Sequence, residues 1–379
     1  MSRMGNATSE HINMAKEPDE LLGVPIHVTR AFLPPRAEYD AWLDRVYESN
    51  VLTNNGPIHK ELEVTLQQRF NVPFLRLMSN GTLALQLAMR ALGVRGKVIT
   101  TPFSYVATTS AILWEGCEPV FVDIDPHTCC IDPSLIERAI TPEVTAIMAT
   151  HVYGIPCDVE AIQEIAAKHG LKVIYDAAHA FDVEYKGRSI LSWGDASTLS
   201  FHATKLFHTV EGGAVVLHSE EVDKQLRLLR SFGHVGDEHF CLGMNAKMSE
   251  VHAAMGMAVL PHVEELIDQR HAICGLYDRL LEGCVTRPGL PDGTLYNYAY
   301  YPILLRDLEQ REAVMAALSD QGIFARRYFF PSLNTLPYVQ QQRMGISEEV
   351  SERTICLPLF PGLHANDVQR IAQIVRSVR

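Results

Sequence analysis

The stretch that decides the fold is LSFHATKLFHTVEGGAVVLHS, residues 199–219. It begins within the apolar run ASTLSF and ends in GGAVVLHS, and both runs have the continuous apolar pattern of a buried strand. Lys205 lies between them, although lysine is rarely buried without a partner. The residue is therefore either an ordinary solvated loop residue or a group with a chemical role in a dry site.

Outward from this stretch, short β-rich runs alternate with helical patterns over about residues 80–220. The amphipathic pattern DVEAIQEIAAKHG at 158–170, for example, is followed by the strand-like KVIYDAAHA at 172–180. This alternation, with nearly continuous apolar strands, predicts an α/β fold around a mostly parallel sheet. Ligands of such sheets bind at the carboxyl ends of the strands, so polar residues are of most interest there.

The pattern changes in the last third of the chain. A long helical stretch at 249–283 contains Pro261, which we expect to kink or split the helix. A strand-like run at 298–305 and a final amphipathic helix at 366–379 follow. We therefore predict a polar leader at 1–23, a large α/β domain at 24–255 and a smaller C-terminal α+β domain at 256–379.

Bulk properties exclude several classes of function. The 379 residues are 47% hydrophobic and 21% charged, as in ordinary soluble proteins, and a formal net charge of -12 argues against nucleic acid as a partner. No apolar run approaches the ~20 residues that span a membrane, and the N-terminus lacks a secretory apolar region. Eight scattered cysteines and sixteen histidines without ligand-like spacing predict reduced thiols, a cytoplasmic location and no dedicated metal site.

A candidate anion-binding loop precedes the first helix of the alternating region. In MSNGTLALQLAM, residues 78–89, Gly81 and Thr82 open a helix whose free N–H groups and dipole attract anions. Ser200, at the end of a later strand, is a second candidate phosphate ligand. The alternatives are simple capping of the helix by Asn80 or Thr82, and a Ser200 hydroxyl satisfied by the backbone.

Asp176 and Lys205 complete a set that suits pyridoxal phosphate. Asp176 ends the strand KVIYD, where a buried carboxylate needs a partner, either a helix N-terminus or a protonated ring nitrogen. A lysine that forms a Schiff base needs a dry site that lowers its pKa. Pyridoxal phosphate requires such a lysine, a carboxylate facing its ring nitrogen and a phosphate cup. The order of these features along neighbouring strands predicts a pyridoxal-phosphate enzyme.

Several segments, in the same order, resemble the DegT/DnrJ/EryC1/StrS group of sugar aminotransferases. The resemblance extends from about residue 24 to the C-terminus and is carried by LTNNGP (52–57), SNGTLAL (79–85), TPFSYVATTSAI (101–112), VFVDID (120–125), YDAAHA (175–180), SFHATK (200–205), EGGAVV (211–216) and MNAKMSEVHAA (244–254). It implies the fold-type I, aspartate aminotransferase-like architecture, pyridoxal phosphate as cofactor, and homodimers that share their active sites.

The resemblance also implies roles for residues around the cofactor. Lys205 would form the Schiff base and shuttle the substrate proton, and Asp176 would pair with the ring nitrogen. His179 would lie beside the 3-hydroxyl of the ring. Phe103 would stack on the ring, although by pattern alone it could equally be a core aromatic.

Further roles concern the substrate and the second subunit. Asn245, a turn residue by pattern alone, matches the asparagine that reaches the phosphate across the dimer interface. Lys247 stands where the family usually has arginine, so a bidentate contact to an anion is in doubt there. Arg326, Arg327 and Tyr328 are candidates to bind the nucleotide diphosphate, the alternative being a solvated surface.

Lys205 favours transamination over dehydration, because the dehydratase branch replaces this lysine with histidine. The resemblance implies a ping-pong reaction in which L-glutamate leaves as 2-oxoglutarate and a nucleotide-linked ketosugar is aminated. SFHATK, the following EGG and ARRYFFPSL (325–333) resemble enzymes that aminate C4 of a 4-keto-6-deoxysugar, with dTDP-4-keto-6-deoxyglucose as the expected acceptor. UDP- or GDP-linked sugars, a 3-ketosugar, an aminocyclitol, and a non-catalytic regulator that keeps the cofactor remain open alternatives.

Overall fold

The computed structural model describes residues 25–378. Its strands are β1 (Ile26–His27), β2 (Phe74–Met78), β3 (Lys97–Thr100), β4 (Glu118–Phe121), β5 (Val144–Thr150), β6 (Lys172–Asp176), β7 (Glu184–Tyr185), β8 (Arg188–Ser189), β9 (Ala196–Ser200), β10 (Gly213–Leu217), β11 (His234–Val235), β12 (Glu238–His239), β13 (Thr294–Leu295), β14 (Tyr301–Leu304), β15 (Ile323–Phe324) and β16 (Thr354–Leu357). Its α-helices are α1 (Arg36–Ser49), α2 (Pro57–Arg69), α3 (Gly81–Ala91), α4 (Val106–Trp114), α5 (Pro133–Ala139), α6 (Val159–His169), α7 (Glu220–Leu229), α8 (Glu250–Val259), α9 (Val263–Leu281), α10 (Leu308–Ser319), α11 (Gly345–Arg353) and α12 (Ala365–Ser377). Within residues 25–378, no helix combines the length and hydropathy needed to cross a bilayer.

A seven-stranded sheet forms the centre of the molecule, in the order β2-β10-β9-β6-β5-β3-β4. Only β10 runs antiparallel to its neighbours within this sheet, and the other pairings are parallel. Its strands are largely buried because helices cover both faces, which is why they lack polar alternation. The predicted α/β fold with a mostly parallel sheet is confirmed.

The pairing of β6 with β9 positions the residues of most interest. The two strands are parallel, with Asp176 opposite Thr198. Their carboxyl ends therefore lie at the same edge of the sheet, and the loop that carries Lys205 leaves from that edge. Helix α3 packs against β9 and β10, which brings its N-terminus to this edge as well.

The C-terminal part packs around a second core. The antiparallel pair β14–β16 lies in it with α9, α10 and α12, and β1 near the start of the described chain pairs in parallel with β15. Pro261 lies in a single 3₁₀ turn, Leu260–His262, which separates α8 from α9 and confirms the predicted split of the long helix. The smaller α+β unit is thus present.

The two cores meet along α9. Leu266 packs in the core beneath the large sheet, whereas Ile273 and Tyr277 pack in the C-terminal core. The predicted boundary between residues 255 and 256 falls inside α8, and this division stays a prediction. The predicted leader at 1–23 lies outside the described residues.

A buried ionic cluster ties α2 to the sheet. Glu63 Oε1 accepts hydrogen bonds from Arg230 Nη1 at 2.6 Å and from the Leu77 N–H at 2.9 Å, and lies 3.1 Å from His59 Nε2. Burial alone would raise the pKa of Glu63. The hydrogen bond with His59 and the charge of Arg230 outweigh burial and lower this pKa from its ordinary value of 4.5 to about 2. The ionised carboxylate therefore stabilises the folded state.

We expect Glu63→Gln to lower the free energy of unfolding at pH 7 by about 3 kcal/mol, since it leaves Arg230 buried without its counter-charge. Because the folded pKa of Glu63 lies below the unfolded one, its stabilisation is present above about pH 4.5 and is lost as pH falls towards 2. The variant should therefore lose stability less steeply with acid in denaturant titrations. The control, Glu61→Gln, breaks an exposed pair with Arg45 and should cost less than about 1 kcal/mol. Equal losses in both variants would contradict the assignment.

Candidate active site

A cavity of about 780 Å³ opens at the carboxyl ends of β6 and β9. It lies between the large sheet and the segment that follows β15. Nine of the predicted site residues line it: Gly81, Thr82, Asp176, His179, Ser200, Lys205, Arg326, Arg327 and Tyr328. The fold therefore brings together residues that are widely separated in the sequence.

The N-terminus of α3 forms one end of the cavity. Asn80 caps the helix, since its Oδ1 accepts a hydrogen bond from the Leu83 N–H at 2.8 Å. The predicted alternative of helix capping by Asn80 therefore occurs. The first N–H groups of a helix lack an intrahelical acceptor and attract anions. A Cβ atom at Gly81 would lie only 2.9 Å from the Cβ of Ser200, and one at Gly213 only 2.7 Å from the carbonyl carbon of Asn80. The glycines thus bring the helix N-terminus and Ser200 into a tight cradle that fits a phosphate group.

Asp176 lies buried at the end of β6. Its Oδ2 accepts a hydrogen bond from the Thr108 hydroxyl at 2.8 Å, and its Oδ1 accepts one from the Ala178 N–H at 3.1 Å. Burial raises the pKa of Asp176, while both hydrogen bonds and the charge of Lys205 oppose that rise. A buried carboxylate of this kind fits a protonated ring nitrogen, which would supply the missing counter-charge.

Lys205 projects into the cavity from the loop after β9. Its Nζ donates a hydrogen bond to the hydroxyl of Tyr300 at 3.3 Å. Within residues 25–378 it makes no ion pair closer than 4.0 Å. Burial lowers the pKa of Lys205, and the charge of Asp176 only partly opposes this. The amine is therefore more often neutral, and hence nucleophilic, than that of a surface lysine.

His179 lies next to both groups. Its Nδ1 accepts a hydrogen bond from the Tyr153 N–H at 3.2 Å, and its ring stacks on Phe329 with the centroids 5.7 Å apart. Burial, and the nearby charge of Lys205, lower the pKa of His179 well below its ordinary value. The imidazole is therefore neutral, with its Nε2 available as a hydrogen-bond donor.

The structure corrects the expectation for Phe103. This residue is fully buried, packs edge-to-face against Tyr153 and Phe329, and lies outside the cavity lining. Tyr105, two residues later at the start of α4, lines the cavity instead and is 58% exposed. The pattern PFSY contains both aromatics, and only the position of the helix start decides which of them faces the cavity.

Asn245 and Lys247 also lie away from the cavity of their own chain. Asn245 is exposed and pairs through its backbone with Ser231, beside the β11–β12 hairpin. The Nζ of Lys247 lies 5.4 Å from the ring centre of Phe232, and burial lowers its pKa. Their expected contact with a second subunit stays a prediction.

The arginines of ARRYFFPSL line the cavity as well. Both are exposed, and the guanidinium of Arg327 lies 4.6 Å from the ring centre of Phe330 and 3.8 Å from Glu312. The ring of Tyr328 packs edge-to-face against that of Tyr300. Their role as ligands of a diphosphate stays a prediction.

Several lining residues were missed by the sequence reasoning: Ser104, Tyr105, Thr150, His202, Glu211 and Tyr300. Tyr105 and Ser104 could have been found, because they lie within TPFSYVATT beside Phe103. Tyr300 directly precedes β14, and no local pattern places it against Lys205. His202 Nε2 lies 3.7 Å from Glu211 Oε1.

The sheet order, the cradle at α3, and the aspartate and lysine at one sheet edge define a fold-type I pyridoxal-phosphate enzyme. The chain belongs to the DegT/DnrJ/EryC1/StrS aminotransferase family, whose model matches residues 36–376. Its enzymatic class is therefore that of the aminotransferases.

Similar proteins support this membership over nearly the whole chain. A dTDP-4-amino-4,6-dideoxy-D-glucose transaminase of Shigella dysenteriae is 42% identical over 94% of this chain and 99% of its own length. A transaminase of the same description from Escherichia coli is 39% identical over 92% of this chain and 98% of its own length. The crystal structure of DesI in the presence of its TDP-sugar product superposes with a TM-score of 0.88, at 34% identity, over 93% of this chain and 92% of DesI.

The role of Lys205 can be tested by absorbance. We expect the purified protein loaded with pyridoxal phosphate to be yellow, and Lys205→Ala to lose the visible band of the lysine-bound cofactor. Lys224→Ala, which removes an exposed lysine paired with Glu220, is the matched control and should keep the band. A wild-type spectrum in Lys205→Ala would refute the assignment.

Proposed function

We propose that this chain transfers the amino group of L-glutamate to C4 of a nucleotide-linked 4-keto-6-deoxysugar. The acceptor we favour is dTDP-4-keto-6-deoxyglucose, and the product is the corresponding 4-amino-4,6-dideoxysugar. The single observation that carries the proposal is the meeting of Lys205, Asp176 and the α3 cradle in one cavity. The names of the two transaminase relatives and the TDP-sugar product of DesI support the choice of sugar and position.

Pyridoxal phosphate, when bound, supplies a carbonyl group that takes up the amino group and a protonated ring that withdraws electrons. Gly81, Thr82 and Ser200 would hold its phosphate, and Asp176 would hold a proton on its ring nitrogen. His179 would donate a hydrogen bond from Nε2 to the 3-hydroxyl. Tyr105, rather than Phe103, is the aromatic residue placed to cover the ring.

Lys205 would do the proton transfer. Because burial lowers its pKa, its Nζ can accept the proton from the α-carbon of L-glutamate. Lys205 would pass this proton to the cofactor carbon that bears the nitrogen, and in the second half of the reaction it would carry a proton from that carbon to C4 of the sugar. Tyr300 limits where this amine can move, through the hydrogen bond at 3.3 Å.

The part of the cavity that carries Arg326 and Arg327 would bind the nucleotide. Arg326 and Arg327 can donate paired N–H groups to a diphosphate, which suits an anionic substrate in a protein of net charge -12. Tyr328, whose ring packs edge-to-face against that of Tyr300, would contact the diphosphate together with these arginines. A cavity of about 780 Å³ has room for both cofactor and substrate.

A homodimer is part of the proposal. Apolar side chains are strongly exposed on the surface that carries Asn245, among them Leu52, Phe240 and Leu242. A second copy would cover such residues, and exposed apolar patches of this kind mark interaction sites. Asn245 and Lys247 would then face the cavity of the partner rather than their own. A cytoplasmic location is the setting we expect for this reaction.

The decisive experiment incubates the purified protein with L-glutamate and each of a panel of acceptors, followed by identification of the amine product. We expect 2-oxoglutarate release and amination at C4 of dTDP-4-keto-6-deoxyglucose. Preference for a UDP- or GDP-linked sugar would correct the nucleotide, and amination of a 3-ketosugar or an aminocyclitol would replace the proposed acceptor. If glutamate converts no bound cofactor even in a single half-reaction, the chain is a non-catalytic member and the proposal fails.

A further inference from the structure

Three hydroxyl groups form a buried chain behind the carboxylate of Asp176. Thr150 Oγ1 lies 3.0 Å from Ser104 Oγ, Ser104 Oγ lies 2.8 Å from Thr108 Oγ1, and Thr108 Oγ1 lies 2.8 Å from Asp176 Oδ2. The three side chains come from the end of β5, the loop after β3 and the first turn of α4. All four residues are at most 5% exposed, and Thr108 is fully buried.

The direction of donation along these hydrogen bonds follows from the number of hydrogens that each hydroxyl can donate. Each hydroxyl has one hydrogen to donate. An ionised Asp176 can only accept, so Thr108 gives its hydrogen to Oδ2 and must accept from Ser104. Ser104 has then used its hydrogen and must accept from Thr150. The opposite orientation at Ser104 would leave two oxygen lone pairs facing each other at 2.8 Å in a dry site.

We propose that Thr150, Ser104 and Thr108 form a one-way hydroxyl relay that keeps the buried Asp176 ionised and fixes its orientation. This inference rests on the proposed function in one respect, the pairing of Asp176 with the ring nitrogen of the cofactor. Thr108 is a positioning residue, since it acts through Asp176, and Ser104 and Thr150 act through Thr108. Hydrogen bonds in such a chain polarise and strengthen one another.

Few other groups can keep Asp176 ionised. Lys205 and His179 line the cavity together with Asp176, and His151 follows directly after β5. The Cys157 thiol donates a hydrogen bond to the Thr150 carbonyl at 3.2 Å. Burial lowers the pKa of His179 well below its ordinary value and that of His151 to about 3, so both are neutral. The charge of Lys205 favours the ionised carboxylate, but this charge is lost when the amine acts as a nucleophile. The relay persists through that change.

The test measures the ionisation of Asp176 in the cofactor-free protein. The infrared carbonyl band of a protonated carboxyl group that vanishes in Asp176→Asn reports this residue alone, and its intensity is followed against pH. We expect Thr108→Val to move the midpoint upward by about one pH unit or more, because hydrogen bonds to the charged form favour it. Ser104→Ala should give a smaller shift in the same direction, and Thr108→Ser should restore the wild-type midpoint.

Thr109→Val is the matched control. Thr109 is the next residue of α4, equally buried, and its hydroxyl has no hydrogen-bond partner among residues 25–378. Its replacement should leave the Asp176 midpoint unchanged. Equal midpoints in Thr108→Val and Thr109→Val would overturn the relay, as would a larger shift from Ser104→Ala than from Thr108→Val.

A second readout links the relay to the cofactor. The half-reaction of loaded Thr108→Val with L-glutamate should be slowed about tenfold near neutral pH and recover as pH rises past the shifted midpoint. A rate that stays reduced by the same factor at every pH indicates a packing defect and contradicts the relay. The infrared result does not depend on the sugar acceptor, so failure of the proposed function and failure of the relay are distinguishable.

Discussion

The buried carboxylate of Asp176 is the group on which the rest of the site depends. A charge in a dry interior must be compensated, and the protein does so with two hydrogen bonds and a nearby amine rather than with a salt bridge. This incomplete compensation makes the position receptive to a cationic ring nitrogen. The parallel pairing of β6 with β9 then fixes the distance between this carboxylate and Lys205. Fold and chemistry are thus joined at one sheet edge.

The same desolvation acts in opposite directions on the charged groups of the cavity. It raises the pKa of Asp176 and lowers the pKa values of Lys205 and His179. A carboxylate that must stay ionised therefore requires hydrogen-bond donors, whereas an amine and an imidazole that must be neutral require only burial. This asymmetry explains why hydrogen-bond donors gather around Asp176, whereas aromatic rings gather around Lys205 and His179.

Local patterns in the sequence predict the fold class, the sheet edge and five of the lining residues, Gly81, Thr82, Asp176, Ser200 and Lys205. The other four, His179, Arg326, Arg327 and Tyr328, follow from the family resemblance. Buried strands are continuous apolar runs, and polar residues directly after such runs lie at a common edge. For Phe103 the resemblance predicts stacking on the ring, whereas the core position that the pattern alone also allows is the one observed. Neither approach finds Tyr300, whose contact with Lys205 results from tertiary packing between segments distant in sequence. Ser104 and Thr108 were visible only as parts of a motif, because hydrogen-bond direction requires coordinates.

The close contact between the α3 N-terminus and the strands β9 and β10 has a consequence for how this scaffold can change. At Gly81 and Gly213 there is no space for even one additional carbon atom, so that end of the cavity is sterically fixed. The cavity is also lined by Met315, Phe330 and Leu336, side chains whose size can vary without displacing the main chain. Redesign for a bulkier or smaller acceptor should therefore begin at those three positions, where the cavity can be reshaped while its anion-holding end stays rigid.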